Sequence, residues 1–255
     1  MPIQKQDVLD PNLDPGAGSG EATEEASLRP SRLADFVGQP ALVGNLSVYV
    51  QAAIKRGAAL DHVLLYGPPG LGKTTLAFIL AEEMGKQITV AHAPAIEHKG
   101  QLAALLTKLE PGDVLFIDEI HRLSAVVEEN LYTAMEDFRI DIVQGDGPMA
   151  TAWTMKLSPF TLVGATTRTG LLTAPMLSRF GIDARLDYYA AESLTRIVRR
   201  SSGILDVEIS DEACEELARR ARGTSRTCSA TAPSITRERW TRWLGSRSTR
   251  RVWMR

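Results

Sequence analysis

The chain has 255 residues, of which 44% are hydrophobic and 24% charged, and its formal net charge is −2. This composition is typical of soluble globular proteins, and the length is sufficient for two small domains. No apolar run reaches the roughly 18 residues that cross a membrane, and the N-terminus lacks a secretory signal. Neither the two cysteines nor the four histidines have the spacing of a disulfide framework or a metal site. We therefore expect a reducing, cytoplasmic location and no membrane partner.

The first 28 residues are rich in proline, glycine and acidic side chains, as "DPNLDPGAGSGEATEEASLRP" shows. Such a segment offers few apolar side chains that could offset the entropy lost on ordering. We predict a disordered leader over residues 1–28.

From Arg29 onward, short apolar runs alternate with segments of helical periodicity. The runs "HVLLYG", "QITVAH", "VLFIDE" and "FTLVGATT" are separated by predicted helices through "TLAFILAEEM", "LAALLTKL" and "NLYTAMEDF". Strands that are apolar throughout and alternate with helices are typical of a parallel sheet covered on both faces. The pattern predicts a doubly wound α/β domain over residues 29–189.

The strand pattern stops after about Leu186, and two helical patterns follow, "AAESLTRIVRRSSGI" and "SDEACEELARRARG". Ser210 is expected to cap the second helix, whose first turn is acidic. Cys214 begins an apolar stripe at helical spacing and is therefore expected to be a core residue. A small helical domain is predicted to begin within residues 190–223.

The segment "GPPGLGKT" lies between a predicted strand ending at Tyr66 and a predicted helix starting near Lys73. Glycines in this context allow backbone N–H groups to cradle phosphates at a helix N-terminus, which is the structure of a P-loop. Lys73 would then reach the β- and γ-phosphates, and the Thr74 hydroxyl would ligate Mg²⁺. The alternative is a Gly/Pro turn with a surface lysine, which the flanking strand and helix disfavour. The predicted nucleotide-binding residues are Gly67, Pro68, Pro69, Gly70, Leu71, Gly72, Lys73, Thr74 and Thr75.

The run "VLFIDEIH" ends a predicted strand with two adjacent acids, Asp118 and Glu119. The carboxyl edge of a parallel sheet is where ligands bind. Asp118 would hold Mg²⁺, and Glu119 would orient and deprotonate the attacking water. The alternative is a pair of solvated acids at a strand end. An acid beside the Mg²⁺ aspartate favours hydrolysis over kinase chemistry, because a kinase gains nothing from activated water.

Two further residues are candidates for contact with the γ-phosphate. Thr167, in "LVGATTR", is predicted to contact the γ-phosphate or the attacking water from a neighbouring strand. Arg179, in "MLSRFG", is either a surface charge or a residue that reaches the γ-phosphate of a neighbouring subunit.

The segment "RIDIVQGDGPMATAWTMKLSPF" has the pattern of a β-hairpin. Trp153, Met155 and Leu157 alternate with polar residues, and "GDG" is a turn signal, so the hairpin should have one apolar face. That face could pack on its own domain or contact a partner.

Seven segments together resemble the RuvB family of AAA+ ATPases, the bacterial motors that drive branch migration of Holliday junctions. They are "RPSRLADFVGQ", "LLYGPPGLGKTTLA", "APAIEHKGQLAALL", "DVLFIDEIHRLS", "LYTAMEDFRIDIVQGDGP", "FTLVGATTRTGLLTAPMLSRFGI" and "LARRARGT", which lie in the family's order between Arg29 and Gly223. Their combination is specific to this family within the AAA+ ATPases.

The resemblance implies roles for the candidate residues and for several others. Lys73 and Thr74 would belong to the Walker A motif, Asp118 and Glu119 to Walker B, Thr167 would be the first sensor, and Arg179 the arginine finger. The residues that would enclose adenine are Phe36, Val37 and Tyr189, and Arg226 would be the second sensor.

The resemblance also implies cofactors and partners. These are ATP and Mg²⁺, a homo-hexameric ring, duplex DNA at Holliday junctions, RuvA bound through the hairpin near Asp146–Leu157, and RuvC in a resolvasome. The alternatives are a clamp-loader-like AAA+ protein, which should lack the hairpin, and a nucleotide-binding assembly module without motor activity.

The last 32 residues differ from the rest of the chain. Residues 224–255 carry eight Arg and one Glu, a charge of +7, which leaves −9 on residues 1–223. The resemblance breaks at Ser225, and Arg226 is followed by Ser, Thr and Pro in place of the family's helix. We interpret the segment as an aberrant basic tail translated in the wrong frame, with a nucleic-acid-binding extension as the alternative. The family's winged-helix DNA-binding domain is expected to be absent in either case.

Overall fold

The computed structural model describes residues 28–144 and 151–225, without the side chains of residues 142–144, 151 and 152. The described residues form two compact units, 30–187 and 188–225, with residues 28–29 belonging to the second. The predictions for the leader before residue 28, the hairpin turn, Arg226 and the tail from residue 226 lie outside the described residues.

A parallel sheet forms the centre of the first unit. The strands in chain order are β1 (Val63–Tyr66), β2 (Ile88–His92), β3 (Val114–Asp118), β4 (Arg139–Gln144), β5 (Thr151–Lys156), β6 (Thr161–Thr166) and β7 (Ile182–Arg185). Five of them pair in the order β2-β3-β6-β1-β7, each parallel to its neighbour. The predicted α/β fold class is confirmed, and β1, β3 and β6 bring the candidate motifs to one edge of the sheet.

The strand β7 was not predicted. Its side chains alternate, with Ile182 and Ala184 buried and Asp183 and Arg185 exposed. The strand lies at the edge of the sheet and pairs with β1. The other strands of the sheet were predicted from runs that are apolar throughout, and an edge strand with one exposed face does not show that pattern.

Seven α-helices lie within the described residues. They are α1 (Pro40–Arg56), α2 (Lys73–Glu83), α3 (Lys99–Leu106), α4 (Ala125–Asp137), α5 (Ala174–Leu177), α6 (Ala191–Ile204) and α7 (Asp211–Arg220). Short 3-10 turns cover Leu33–Asp35, Ala93–Ala95, Ile120–Arg122 and Thr169–Leu171. No helix of these residues is both long enough and apolar enough to cross a membrane.

Helix α4 contributes one face to the core of the first unit. Val127, Leu131, Ala134 and Met135 are buried in the same cluster as the side chains of β3. This spacing of four, three and one residues is that of a single helical face. The other side of α4 therefore remains available for contacts with residues later in the chain.

The two strands of the predicted hairpin, β4 and β5, are antiparallel, and Ile142 is paired with Trp153. Trp153 is 62% exposed and Met155 40% exposed, whereas Leu157 is buried in the core. Large apolar side chains that do not pack on their own domain are typical of contact sites. Two of the three side chains on the apolar face are therefore exposed, and their contact with a partner stays a prediction.

The second unit contains the paired helices α6 and α7. The Ser210 side chain accepts a hydrogen bond from the N–H of Ala213, so the predicted cap of α7 is confirmed. Cys214 is fully buried, and burial raises the pKa of its thiol. The cysteine is therefore a core residue, as its helical spacing predicted.

Candidate functional site

The glycine-rich loop between β1 and α2 depends on unusual backbone angles. Gly67, Gly70 and Gly72 have φ values of 144°, 75° and 92°, which residues with a side chain rarely adopt. A Cβ atom on Gly67 would lie 2.3 Å from the carbonyl oxygen of Leu186. The loop therefore passes close to the chain that follows β7, and only glycine fits at its first position.

The loop leads directly into the N-terminus of α2. Gly72 is the N-cap residue and has no side chain that could accept hydrogen bonds from the first turn. The first N–H groups of a helix lack partners within the helix, and the helix dipole favours an anion at this end. The segment thus has the geometry of a phosphate-binding loop.

Lys73 is buried and lies against its own loop. Its Nζ donates hydrogen bonds to the carbonyl oxygens of Gly67, at 2.9 Å, and Pro68, at 2.8 Å. Burial lowers the pKa of the Lys73 ammonium, and the nearby charges of Asp118 and Glu119 oppose that shift. A bound phosphate would supply the ammonium with stronger, charged acceptors than these two carbonyl groups.

The two acids lie at the carboxyl end of β3. Asp118 Oδ1 accepts a hydrogen bond from the N–H of Glu119 at 2.9 Å, and Asp118 Oδ2 lies 3.9 Å from Nδ1 of His92 on β2. Glu119 has a left-handed φ of 50°, which is uncommon for a residue with a side chain and occurs often at functional sites. Its carboxylate accepts a hydrogen bond from Arg122 at 3.0 Å. That bond lowers the pKa of Glu119, so the carboxylate is ionised at neutral pH.

The end of β6 carries two consecutive threonines, Thr166 and Thr167. Thr166, the last strand residue, is buried, and its Oγ1 lies 2.9 Å from Nδ1 of His121. The same oxygen accepts a hydrogen bond from the N–H of Arg168. Thr167, the predicted sensor, follows the strand and is exposed. The contact between Thr166 and His121 was not predicted, because two consecutive threonines do not show which of them ends the strand.

Arg179 is paired within its own chain. Its NH2 group lies 3.1 Å from the Glu136 carboxylate, NH1 donates to the carbonyl oxygen of Pro175 at 2.6 Å, and the guanidinium lies 4.6 Å from the centre of the Tyr132 ring. The side chain is 20% exposed. No contact described for Arg179 joins it to Lys73 or to the two acids.

The predicted adenine-binding residues lie in both units. In the first unit, Phe36 is buried and Val37 is half-buried, directly after the 3-10 turn Leu33–Asp35. In the second unit, Tyr189 is buried and its backbone N–H donates to the carbonyl oxygen of Gly223 at 2.9 Å. Burial raises the pKa of the Tyr189 phenol to about 12, so this group stays protonated.

The oxygen donors of the site fit Mg²⁺ better than a transition metal. Within residues 28–144 and 151–225, no group of three or more His, Cys, Asp or Glu side chains is placed to hold a metal. Mg²⁺ is usually bound by one or two protein oxygen ligands together with phosphate and water. Thr74, in the first turn of α2, and Asp118 are half-buried and supply such oxygens.

The parallel sheet, the glycine loop that leads into α2 and the acids that end β3 define a P-loop ATPase of the AAA+ class. Residues 28–186 match the family model of the Holliday junction DNA helicase RuvB P-loop domain, and residues 189–230 match that of the RuvB AAA lid domain. The chain belongs to the RuvB family. This match favours the RuvB interpretation over a clamp-loader-like protein.

The chain is similar to RuvB proteins of known sequence and structure. It is 56% identical over 214 residues to the RuvB subunit of the Holliday junction branch migration complex from Chlorobaculum tepidum, covering 84% of this chain and 62% of that protein. It is 47% identical to the Thermotoga maritima RuvB branch migration motor, with a TM-score of 0.74 over 86% of this chain and 68% of that one. A point mutant of the same Thermotoga protein gives 48% identity and a TM-score of 0.76, over 85% and 68%. The chain therefore spans less than two thirds of the Chlorobaculum relative.

Proposed function

We propose that this chain binds ATP with Mg²⁺ and hydrolyses the ATP, and that hydrolysis drives branch migration of Holliday junctions. The observation that carries the proposal is the arrangement at one sheet edge. Lys73 is held on the phosphate loop after β1, and an ionised Glu119 follows Asp118 at the end of β3. The RuvB family match supports nucleotide binding, which a P-loop ATPase domain implies.

In the proposed site the loop and Lys73 bind the β- and γ-phosphates. The ammonium exchanges the carbonyl groups of Gly67 and Pro68 for phosphate oxygens. Thr74 and Asp118 hold Mg²⁺, which would neutralise charge on the phosphates when bound. Thr75 follows Thr74 in the first turn of α2 and is a further proposed nucleotide-binding residue.

Glu119 is the proposed general base. Its pKa is lowered, so it accepts a proton from water without first losing one of its own at neutral pH. Its left-handed backbone ends the regular path of β3 at this residue. Thr166, bound to His121, or its neighbour Thr167 supplies a hydroxyl at the end of the adjacent strand β6.

The proposed partners are those implied by the resemblance. The chain would form a hexameric ring in which Arg179 reaches the γ-phosphate of the neighbouring subunit. The hairpin near Asp146–Leu157 would bind RuvA, and the exposed Trp153 and Met155 support that contact. Duplex DNA at the junction and RuvC complete the proposed assembly. Hydrolysis measured with and without RuvA and a synthetic junction separates a motor from an assembly module, which should bind ATP without turnover.

Two substitutions separate ATP binding from hydrolysis. Lys73→Ala should abolish binding of a fluorescent ATP analogue, because the loop loses its buried cation. Glu119→Gln should bind the analogue and lower the rate of phosphate release by about 10²–10⁴, the usual contribution of a positioned general base. Arg139→Ala, at an exposed ion pair with Asp137, is the control and should change neither measurement. Full turnover by Glu119→Gln would contradict the assignment.

A further inference from the structure

Helix α4 carries a row of polar side chains beside its buried face. Glu128, Tyr132 and Glu136 follow one another at intervals of four residues and therefore share one side of the helix. Arg179, which follows α5, contacts two members of this row. Its guanidinium lies 4.6 Å from the centre of the Tyr132 ring and 3.1 Å from Glu136.

The Tyr132 ring is itself held in place. Its hydroxyl donates to the Glu128 carboxylate and lies 2.6 Å from Thr173 Oγ1. The Thr173 hydroxyl donates to Glu128 as well, and its oxygen accepts from the N–H of Met176 as the cap of α5. The three side chains thus join α4 to the turn that carries Arg179. Burial and the Glu128 carboxylate raise the pKa of Tyr132, which keeps the hydroxyl protonated as a donor.

The guanidinium retains donors for a further ligand. NH1 donates one N–H to Pro175, NH2 lies against Glu136, and Nε is buried without a hydrogen-bond partner. Each terminal nitrogen carries two N–H groups, so one N–H on each has no acceptor among the described residues. Such a planar pair of donors matches the oxygens of a phosphate.

We propose that Tyr132 and Glu136 are positioning residues for Arg179: the braced Tyr132 ring supports the guanidinium and Glu136 orients it, so that Arg179 is ordered before it meets the neighbouring subunit's nucleotide. A long arginine side chain has many rotamers, and ordering it in advance reduces the entropy lost when it binds. The inference rests on the proposed function, in which Arg179 acts in trans.

The first test measures the order of Arg179 without requiring activity. The full chain is treated with phenylglyoxal, and the labelling rate of each arginine is determined by mass spectrometry. Tyr132→Leu should raise the rate at Arg179 by roughly two- to fivefold, the factor expected for loss of an exposed cation–π contact. Glu136→Gln, at an exposed residue, should also raise it, and Tyr132→Phe should restore most of the protection. The exposed Arg56 is the internal reference, and Tyr49→Leu, at an exposed tyrosine of α1, is the matched control.

The second test measures catalysis in the assembled protein. Tyr132→Leu should lower kcat for ATP by roughly fivefold to a hundredfold with little change in KM, because Arg179 contacts the nucleotide in the transition state. In the Arg179→Ala background the same substitution should have no further effect, because Tyr132 acts through Arg179.

The two tests have outcomes that would overturn the inference. Equal labelling of Arg179 in the wild type, Tyr132→Leu and Glu136→Gln would show that neither residue orders it. An additional loss of activity in the double variant, or an unchanged kcat in Tyr132→Leu, would exclude a role through Arg179. A wild-type chain that binds no ATP would instead contradict the proposed function, whereas the labelling result does not depend on ATP.

Discussion

His62 shows how burial decides what an ionisable residue does in this protein. Its Nδ1 accepts a hydrogen bond from the N–H of Leu162 at 2.9 Å, and its Nε2 lies 3.2 Å from the carbonyl oxygen of Met135. An imidazole that accepts on Nδ1 and donates from Nε2 is neutral. Its ring also packs against Phe160 and Phe138. The residue therefore joins β1, β6 and α4 and has no metal-binding role.

The neutral state of His62 predicts a pH dependence of stability. Burial lowers its pKa in the folded protein, so the unfolded chain binds the proton more readily. The free energy of unfolding should therefore decrease as the pH falls from about 6.5 toward the folded-state pKa, and should not change from this cause above that range. Urea unfolding of the wild type and of His62→Gln between pH 8 and pH 5 measures the difference. The prediction is wrong if both proteins show the same dependence on pH.

At the scale of elements, the phosphate loop depends on its fit against the chain after β7. Gly67 donates its N–H to the carbonyl oxygen of Thr166 at 3.3 Å and passes close to Leu186. The loop thus lies between the ends of β6 and β7. Because β7 is an edge strand with alternating burial, no apolar run in the sequence indicates that it lies beside the loop.

Gly67→Ala should therefore disturb both folding and nucleotide binding. Its Cβ would lie 2.3 Å from a backbone oxygen, and its φ of 144° is unfavourable for alanine. We expect a loss of about 1–3 kcal/mol in the free energy of unfolding and weaker ATP binding. Gly44→Ala in α1 is the matched control, because nothing lies within 4 Å of its Cβ position, and it should be neutral or stabilise by about 0.4–1 kcal/mol. Both variants are measured by chemical denaturation and by ATP titration. Equal effects of Gly67→Ala and Gly44→Ala in these two measurements would contradict this account.

At the scale of the whole molecule, the proposed trans role of Arg179 requires more than one subunit. In the described residues Arg179 contacts α4 and Pro175 of its own chain, and no described contact joins it to the phosphate loop. The action of Arg179 on the nucleotide of a neighbouring subunit stays a prediction. The wrong-frame interpretation of residues 224–255 stays a prediction, and resequencing the coding region around codon 224 tests it.

Mixed subunits test the action of Arg179 in trans. Arg179→Ala chains should bind ATP normally and hydrolyse it with a rate lower by roughly 10³–10⁵, the contribution of an arginine finger. Added to wild-type chains, they should lower phosphate release more steeply than the mutant fraction, because each also disables the site of a neighbour. Glu136→Gln chains, mixed in the same ratios, keep Arg179 but lose its ion-pair partner. They show how much of the decrease in phosphate release requires loss of the Arg179 side chain itself. A decrease in strict proportion to the mutant fraction would argue against the inter-subunit role.

Residue types and their spacing along the chain were sufficient to predict the phosphate loop, the acids after β3 and the cap of α7, because each of these features depends on a few consecutive residues. The family followed from the order of seven such segments. The position of β7, the contact of Thr166 with His121, and the contacts of Arg179 with Tyr132 and Glu136 became visible only in the folded chain. These features join residues about 40 to 120 positions apart, and such pairing depends on packing across the sheet and helices, of which local periodicity carries no record.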